Sequence, residues 1–134
     1  MGVVVFDSDV LIAFLNRQDG HHAESVQRVR DSLSPGNRRL ICAVNYAEIM
    51  VGPVRAGTQE LVRQMLVQFN IETITVDMAL ANRAAVVRAR TGLKLPDAFA
   101  LATAVHAEHR GWEDVEMASF DAAVLRAHRD LHPN

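Results

Sequence analysis

The chain is short of the residues that mark whole classes of protein. One cysteine in 134 residues excludes an internal disulfide, and Cys42, set in the apolar run Leu40-Ile41-Cys42-Ala43-Val44, reads as a buried structural thiol. No apolar run has the length needed to span a membrane. The N-terminus lacks the basic flank and small-residue cleavage site of a signal peptide, and Phe6 stands where a myristoylation motif needs Ser or Thr. A cytoplasmic protein is therefore expected. There is no repeat, linker or low-complexity stretch, and the length suits one domain over residues 1–134. Lysine is nearly absent. Lys94 stands alone against 13 arginines, the side chain that grips phosphate bidentately. The net charge of −2 looks wrong for a nucleic-acid binder. If Asp7, Asp9, Glu48, Asp97 and Asp121 share one pocket, however, the 14 basic residues face 11 remaining acids, a balance of +3. That permits a phosphate substrate without demanding one.

What the chain does have is buried strands that end in acids. Val3-Val4-Val5-Phe6 is an uninterrupted, mostly β-branched apolar run, the pattern of a parallel strand covered on both faces, and Asp7 and Asp9 follow it directly. In an open α/β sheet, ligands bind outside the carboxyl ends of the strands. A helix from about Val10 to Asn16 ends at Asp19-Gly20, and a second starts near His22 and stops at Ser34-Pro35-Gly36-Asn37. Arg39 to Val44 reads as a second strand, with Asn45 capping a helix that Gly52-Pro53 ends. Thr58 caps a helix with Leu61, Val62, Met65, Leu66 and Phe69 on its apolar stripe. Ile71 to Val76 is a third strand, and Asp77 caps a helix that stops at Thr91-Gly92. Leu95-Pro96-Asp97 opens a helix that closes near His109, Val115 to Phe120 is a fourth strand, and Asp121 to Arg129 is a last helix. The order β-α-α-β-α-α-β-α-α-β-α predicts an α/β/α three-layer domain, with a parallel sheet of four to five strands flanked by helices.

Four acids take equivalent places in this layout. Asp7 ends the first strand, Glu48 follows the second, Asp97 opens the helix before the fourth, and Asp121 follows the fourth. Each also has a purely structural reading. Asn45 with Glu48 fits a capping box, Asp97 a first-turn acid and Asp121 an N-cap. Independent caps need not gather at one end of one sheet, and the shared end favours a common site. Crowded carboxylates recruit a cation, and hard oxygen donors suit Mg²⁺ or Mn²⁺. The chemistry such a site supports is attack of water on a phosphodiester.

The stretches Val5-Phe6-Asp7-Ser8-Asp9-Val10-Leu11-Ile12-Ala13, Tyr46-Ala47-Glu48-Ile49, Leu95-Pro96-Asp97-Ala98-Phe99-Ala100-Leu101-Ala102-Thr103-Ala104 and Ala118-Ser119-Phe120-Asp121, in that order and spacing, resemble the PIN-domain family, and within it the VapC-type ribonuclease toxins of toxin–antitoxin pairs. The resemblance implies a metal-dependent endoribonuclease. Asp7, Glu48, Asp97 and Asp121 would hold one or two Mg²⁺ or Mn²⁺ ions, with Ser119 at the family's hydroxyl position. It implies RNA as substrate, a cognate antitoxin as partner and a homodimer. Position 9, most often Ser or Asn in the family, is Asp9 here, either a site residue or a first-turn acid.

Two other readings use the same opening stretch. A haloacid-dehalogenase-type phosphohydrolase would use Asp7 and Asp9 as nucleophile and acid, and a receiver-type or PIN-like binding domain would use the strand-end acids without hydrolysis. The dehalogenase chemistry wants a downstream basic residue and a second acidic pair, in a longer chain, and leaves Glu48 without a role; a receiver wants a late lysine, and none follows Lys94. His21-His22 and the pair His106 and His109 lack the company of a zinc site and read as solvated or helix-terminal. Arg38, Arg39, Arg83, Arg88 and Arg90 are either phosphate contacts or a charged outer face, and Trp112 is a single candidate for base stacking. Met65 and Phe69 read as core or dimer interface, and the helices over Thr58 to Phe69 and Ala47 to Val51 are the expected antitoxin dock.

Overall fold

The computed structural model describes residues 2–131. Over them the chain runs β1 (Val3–Phe6), α1 (Ser8–Leu15), α2 (His22–Ser32), β2 (Arg38–Cys42), α3 (Ala43–Ala56), α4 (Gln59–Gln68), β3 (Ile71–Ile74), α5 (Met78–Thr91), α6 (Leu95–His109), β4 (Val115–Ala118) and α7 (Ala122–Asp130). This is the element order the sequence predicts. The sheet has four strands in the order β3-β2-β1-β4, every neighbouring pair parallel. From β1 the chain steps outward to β2 and β3, then returns to the far side of β1 as β4. The direction of winding thus reverses between β1 and β4, which makes that gap the topological switch point of the sheet. Phe6 lies level with Ile41 and Ala118, so β1, β2 and β4 deliver the residues that follow them to the same edge.

Both faces of the sheet are covered, as the uninterrupted apolar strands require. Val3, Val5, Leu40 and Cys42 point into a core with Leu80, Ala84 and Val87 of α5, the inner face of α6, and Val124 and Ala127 of α7. Val4, Phe6 and Ile41 point the other way, against Val10 and Leu11 of α1, Val29 of α2, Ile49 and Met50 of α3 and Val62, Met65 and Leu66 of α4. Cys42 is buried and free, as expected. Met65 is core, and Phe69 packs edge-on to Phe14 with ring centroids 5.6 Å apart. Among the described residues no helix is long and apolar enough to cross a membrane.

Two local expectations are corrected. Gly52-Pro53 does not end α3, which continues through Pro53 to Ala56. Its close comes at Gly57, in the left-handed region at φ 73°, where the Thr58 amide donates to the Pro53 carbonyl at 2.8 Å. The proline removes one donor, but both its neighbours in sequence are exposed, and the helix goes on. Nor does Asn45 cap α3. Strand β2 passes directly into the helix at Cys42, which leaves Asn45 buried inside the first turn and free for another task.

Helix α6 buries the largest number of residues of any helix among the described residues. Ala98, Ala100, Leu101, Ala102, Thr103, Ala104 and Ala107 are buried, and the small side chains let it lie close to both the sheet and α5. Enlarging one of them forces its neighbours apart. Ala102→Leu is expected to lower unfolding free energy by about 1–3 kcal/mol in urea denaturation while far-UV circular dichroism stays native. An unchanged midpoint would mean that α6 is not held this tightly.

Candidate active site

The residues that follow β1 and β4 meet at the switch point. Asp7 is the N-cap of α1, and its Oδ1 accepts from the Ser8 amide at 2.9 Å. Its Oδ2 accepts from the Ser119 hydroxyl, also at 2.9 Å. Only 2% of Asp7 is exposed, and Ser119 is fully buried. Ser119 Oγ in turn accepts from the Asp121 amide at 3.0 Å. A hydroxyl has a single proton, so the Asp9 Oδ2 that also lies 3.4 Å away is served chiefly by the Phe120 amide at 2.9 Å. One serine therefore ties the ends of β1 and β4 together through three acids.

Asp9 thus belongs to the cluster as well as to the first turn of α1, where Asp7 already provides the cap. Asp121 likewise keeps both of its predicted characters. Its Oδ1 caps α7 through the Ala123 amide at 2.8 Å, while its charge bears on Asp9 and Asp97. Asp97, third residue of α6, is half-buried beside Asp121, Glu48 and Asp9. Glu48, half-buried on α3, does not form the expected capping box, because Asn45 is inside the helix rather than at its cap. Instead the Asn45 amide donates to Glu48 Oε1 at 3.2 Å and to the Pro96 carbonyl at 3.1 Å, which locks α3 to the start of α6. All six predicted residues, Asp7, Asp9, Glu48, Asp97, Ser119 and Asp121, are brought to one crevice.

Two contributors were not legible as site residues. Asn45 reads in sequence as a helix cap. Lys94, at the N-cap position of α6, is a cation whose field bears on Asp97, opposing the surrounding acids. Its place immediately before Leu95-Pro96-Asp97 is the only signal that could have found it. Other candidates are used elsewhere. Arg39 donates to the Phe69 and Ser32 carbonyls at 2.6 and 2.7 Å, and the exposed Arg88 to the Leu93 carbonyl at 2.5 Å, so both are engaged by backbone. His22 Nδ1 lies 2.8 Å from the Ala13 carbonyl, and His21 stacks on Phe120 at 4.8 Å at the rim of the crevice.

Burial pushes the Asp7 carboxyl up to about 7, helped by the charges of Asp9 and Asp97 and opposed by the Ser119 and Ser8 hydrogen bonds. Asp9 and Asp97 are also raised, each first by burial, and then by nearby acids that include Asp121. Among the described residues no three acid, histidine or cysteine side chains already close on one point. The donors nonetheless fit a hard divalent cation. They are all oxygens, they repel one another, and Asp9 Oδ1 is buried with no hydrogen-bond partner among the described residues. Mg²⁺ in particular binds through one or two carboxylates and keeps much of its water, so a finished protein cage is not required.

The raised Asp7 fixes a pH dependence. The native state holds a proton that the unfolded chain releases above 3.8, so the stability Asp7 contributes is complete below about pH 4 and is lost as pH rises through about 7. In metal-free buffer Asp7→Asn is expected to remove that fall, becoming more stable than the parent at pH 8 by up to about 4 kcal/mol but not at pH 4. Denaturant melts at the two pH values measure it. Ser119→Ala, which deletes a bond to the ionised form, is expected to move the fall to higher pH. Parallel curves for parent and Asp7→Asn would assign the strain elsewhere.

Comparison with known proteins bears on the fold and the family. A chain described as "Toxin-antitoxin complex from Klebsiella pneumoniae" is 27% identical, with a TM-score of 0.67 over 90% of this chain and 87% of that one. A second, "Crystal structure of VapBC2 from Rickettsia felis bound to a DNA fragment from their promoter", is 14% identical, with a TM-score of 0.54 over 90% of this chain and 100% of that one, a likeness of fold alone. The comparison with curated proteins returns no match. The PIN domain model matches residues 4–127, from β1 into α7 and across every carboxylate of the crevice, and the chain belongs to the PIN domain family.

Proposed function

We propose that this protein is a metal-dependent endoribonuclease and the toxin of a VapBC-type toxin–antitoxin pair, acting in the cytoplasm as one nuclease domain. PIN domains are typically nucleases and generally use divalent metal ions, which supports a hydrolase acting on nucleic acid. The observation that carries the reading is the gathering of Asp7, Asp9, Asp97, Asp121 and Glu48 at the switch point of the sheet. Asp7 and Asp97 would be the central ligands for Mg²⁺ or Mn²⁺, with Glu48 and Asp121 completing the set or orienting water, and Asp9 offering its unpartnered Oδ1. A bound divalent cation lowers the pKa of water and neutralises charge on a phosphodiester. The protein's own part is to hold the acids ready. Ser119 aims Asp7, and the Phe120 amide aims Asp9. Asn45 keeps Glu48 against α6, while Lys94 and His21 stand near the crevice, where an RNA backbone and base would pass. In-line attack by water forms one P–O bond and breaks another, leaving a phosphomonoester and a hydroxyl end.

The dehalogenase-type and receiver readings find no support in a chain of this family whose Glu48 and Asp97 share the crevice. A toxin must be kept silent. The apolar side chains left exposed on α3 and α4, Val51, Val54, Leu61 and Val67, support those helices as the dock for an antitoxin, and the toxin is taken to act as a homodimer. The structural relative from Klebsiella pneumoniae, itself a toxin–antitoxin complex, supports an antitoxin as partner.

Cleavage of a labelled RNA tests this directly. Activity is expected in Mg²⁺ or Mn²⁺, absent in EDTA, and lower by more than about a hundredfold in Asp7→Asn and Asp97→Asn, since even the outer partners of metal ligands are worth 10–100-fold. Cleavage by Asp7→Asn at the parent rate overturns the site, and cleavage in EDTA overturns the mechanism. A phosphomonoester is expected to leave no covalent phosphate on Asp7.

A further inference from the structure

Beside α6, a hollow of about 340 Å³ runs from Arg38 at the start of β2 to Ile74 at the end of β3. Arg38, His106, Arg110 and Trp112 line it, over an apolar floor that includes Leu40 and Ile74. Arg38 pairs with Val3 at the first rung of β1, and Asp7 lies four residues further along, about 13 Å away at 3.3 Å per residue. None of the clustered carboxylates lines the hollow. Its size is at the lower end of small-ligand clefts.

The side chains around it are built in two ways. Trp112 is half-buried against the core, with its amide bonded to the Ala107 carbonyl at 3.2 Å. The Arg38 guanidinium lies 5.0 Å from the centre of the indole. Arg38 is itself clamped by Glu72, through Nε to Oε1 at 3.1 Å and through a terminal nitrogen to Oε2 at 2.5 Å. The ion pair is partly exposed, and it holds the guanidinium over one face of the indole, so that the planar group Arg38 offers is stacked on Trp112. Arg110 and His106 differ. They lie four residues apart at the end of α6, on one helix face, and neither side chain has a partner among the described residues. Glu113 borders a second, more open hollow on Trp112 rather than this one. The hollow therefore presents an immobilised flat surface beside two uncommitted nitrogen donors. A ligand that satisfies both has a planar ring at one end and an anion at the other.

We propose that this hollow binds a nucleotide, its base stacked on the Trp112 and Arg38 surface and its phosphate held by Arg110 and His106. Aromatic stacking is tolerant of base identity, and arginine is the side chain best suited to phosphate. The site does not depend on RNA cleavage at the carboxylates. Its ligand is either a free nucleotide or one unit of a single-stranded RNA, which present the same chemistry.

Trp112 is the only tryptophan in the chain, so its fluorescence reports on this hollow alone. The full-length protein is titrated with adenosine 5′-monophosphate, with a short single-stranded RNA and with inorganic phosphate. A saturable change in emission is expected with the mononucleotide, equal in the parent and in Asp7→Asn, and weakened about tenfold or more in Arg110→Ala, an exposed position whose loss leaves the fold intact. RNA titrations use Asp7→Asn, so that failure of the nuclease reading leaves the result readable. Tighter binding of RNA than of the mononucleotide identifies a strand as the source, and the reverse identifies a free nucleotide. No change with either ligand, an unaltered response in Arg110→Ala, or inorganic phosphate binding as tightly as the mononucleotide overturns the proposal.

Discussion

Asp7 stands at the end of the central strand with its carboxylate out of water, and the hydrogen bond from the Ser119 hydroxyl at 2.9 Å holds it there. The rest of the working end depends on that contact. It joins the ends of β1 and β4, the two strands between which the winding of the sheet reverses. It also brings Asp121 and Asp9 into line, through the Asp121 amide on Ser119 Oγ and the Phe120 amide on Asp9 Oδ2. The price is a cluster of like charges, relieved in the free protein by keeping a proton on Asp7 up to about pH 7 and relieved otherwise by a cation.

A site under such repulsion needs a stiff frame. Strand ends supply part of it, since β1, β2 and β4 finish level and sit between two apolar layers. Helix α6 supplies the rest. Its run of buried alanines lets it lie against the sheet and α5, which fixes Asp97 at its first turn, and the buried Asn45 amide braces that turn against α3. The acids thus lie on or at the caps of four separate helices, α1, α3, α6 and α7.

The same helix contributes to both the crevice and the hollow. Its N-terminal turn presents Asp97 to the crevice, and its C-terminal turn presents His106 and Arg110 to the hollow around Trp112. Arginines that looked alike in the sequence separate into distinct duties across this frame. Arg39 and Arg88 tie down backbone carbonyls, Arg38 is clamped beside an indole, and Arg110 is left uncommitted.

Strand runs such as Val3 to Phe6, the helical stripe from Val62 to Leu66, and the caps Asp77 and Asp121 are local signals, and they determined by sequence alone the element order, the parallel sheet and the placement of Asp7, Asp97 and Asp121 at one edge. Local signals misled at both ends of α3: Asn45 looked like a cap because β2 runs directly into the helix, and Pro53 looked like a stop that the helix passes through. Whether Asp9 was a cap or a member of the site depended on the Phe120 amide, 111 residues away, and the roles of Asn45 and Lys94 depended on α6 arriving beside α3. Periodicity and capping are written within a few neighbouring residues, so the sequence determines them. Which carboxylate is buried, which is shared and which keeps an oxygen free is decided only when distant strand ends meet, because desolvation and repulsion act through space and not along the chain.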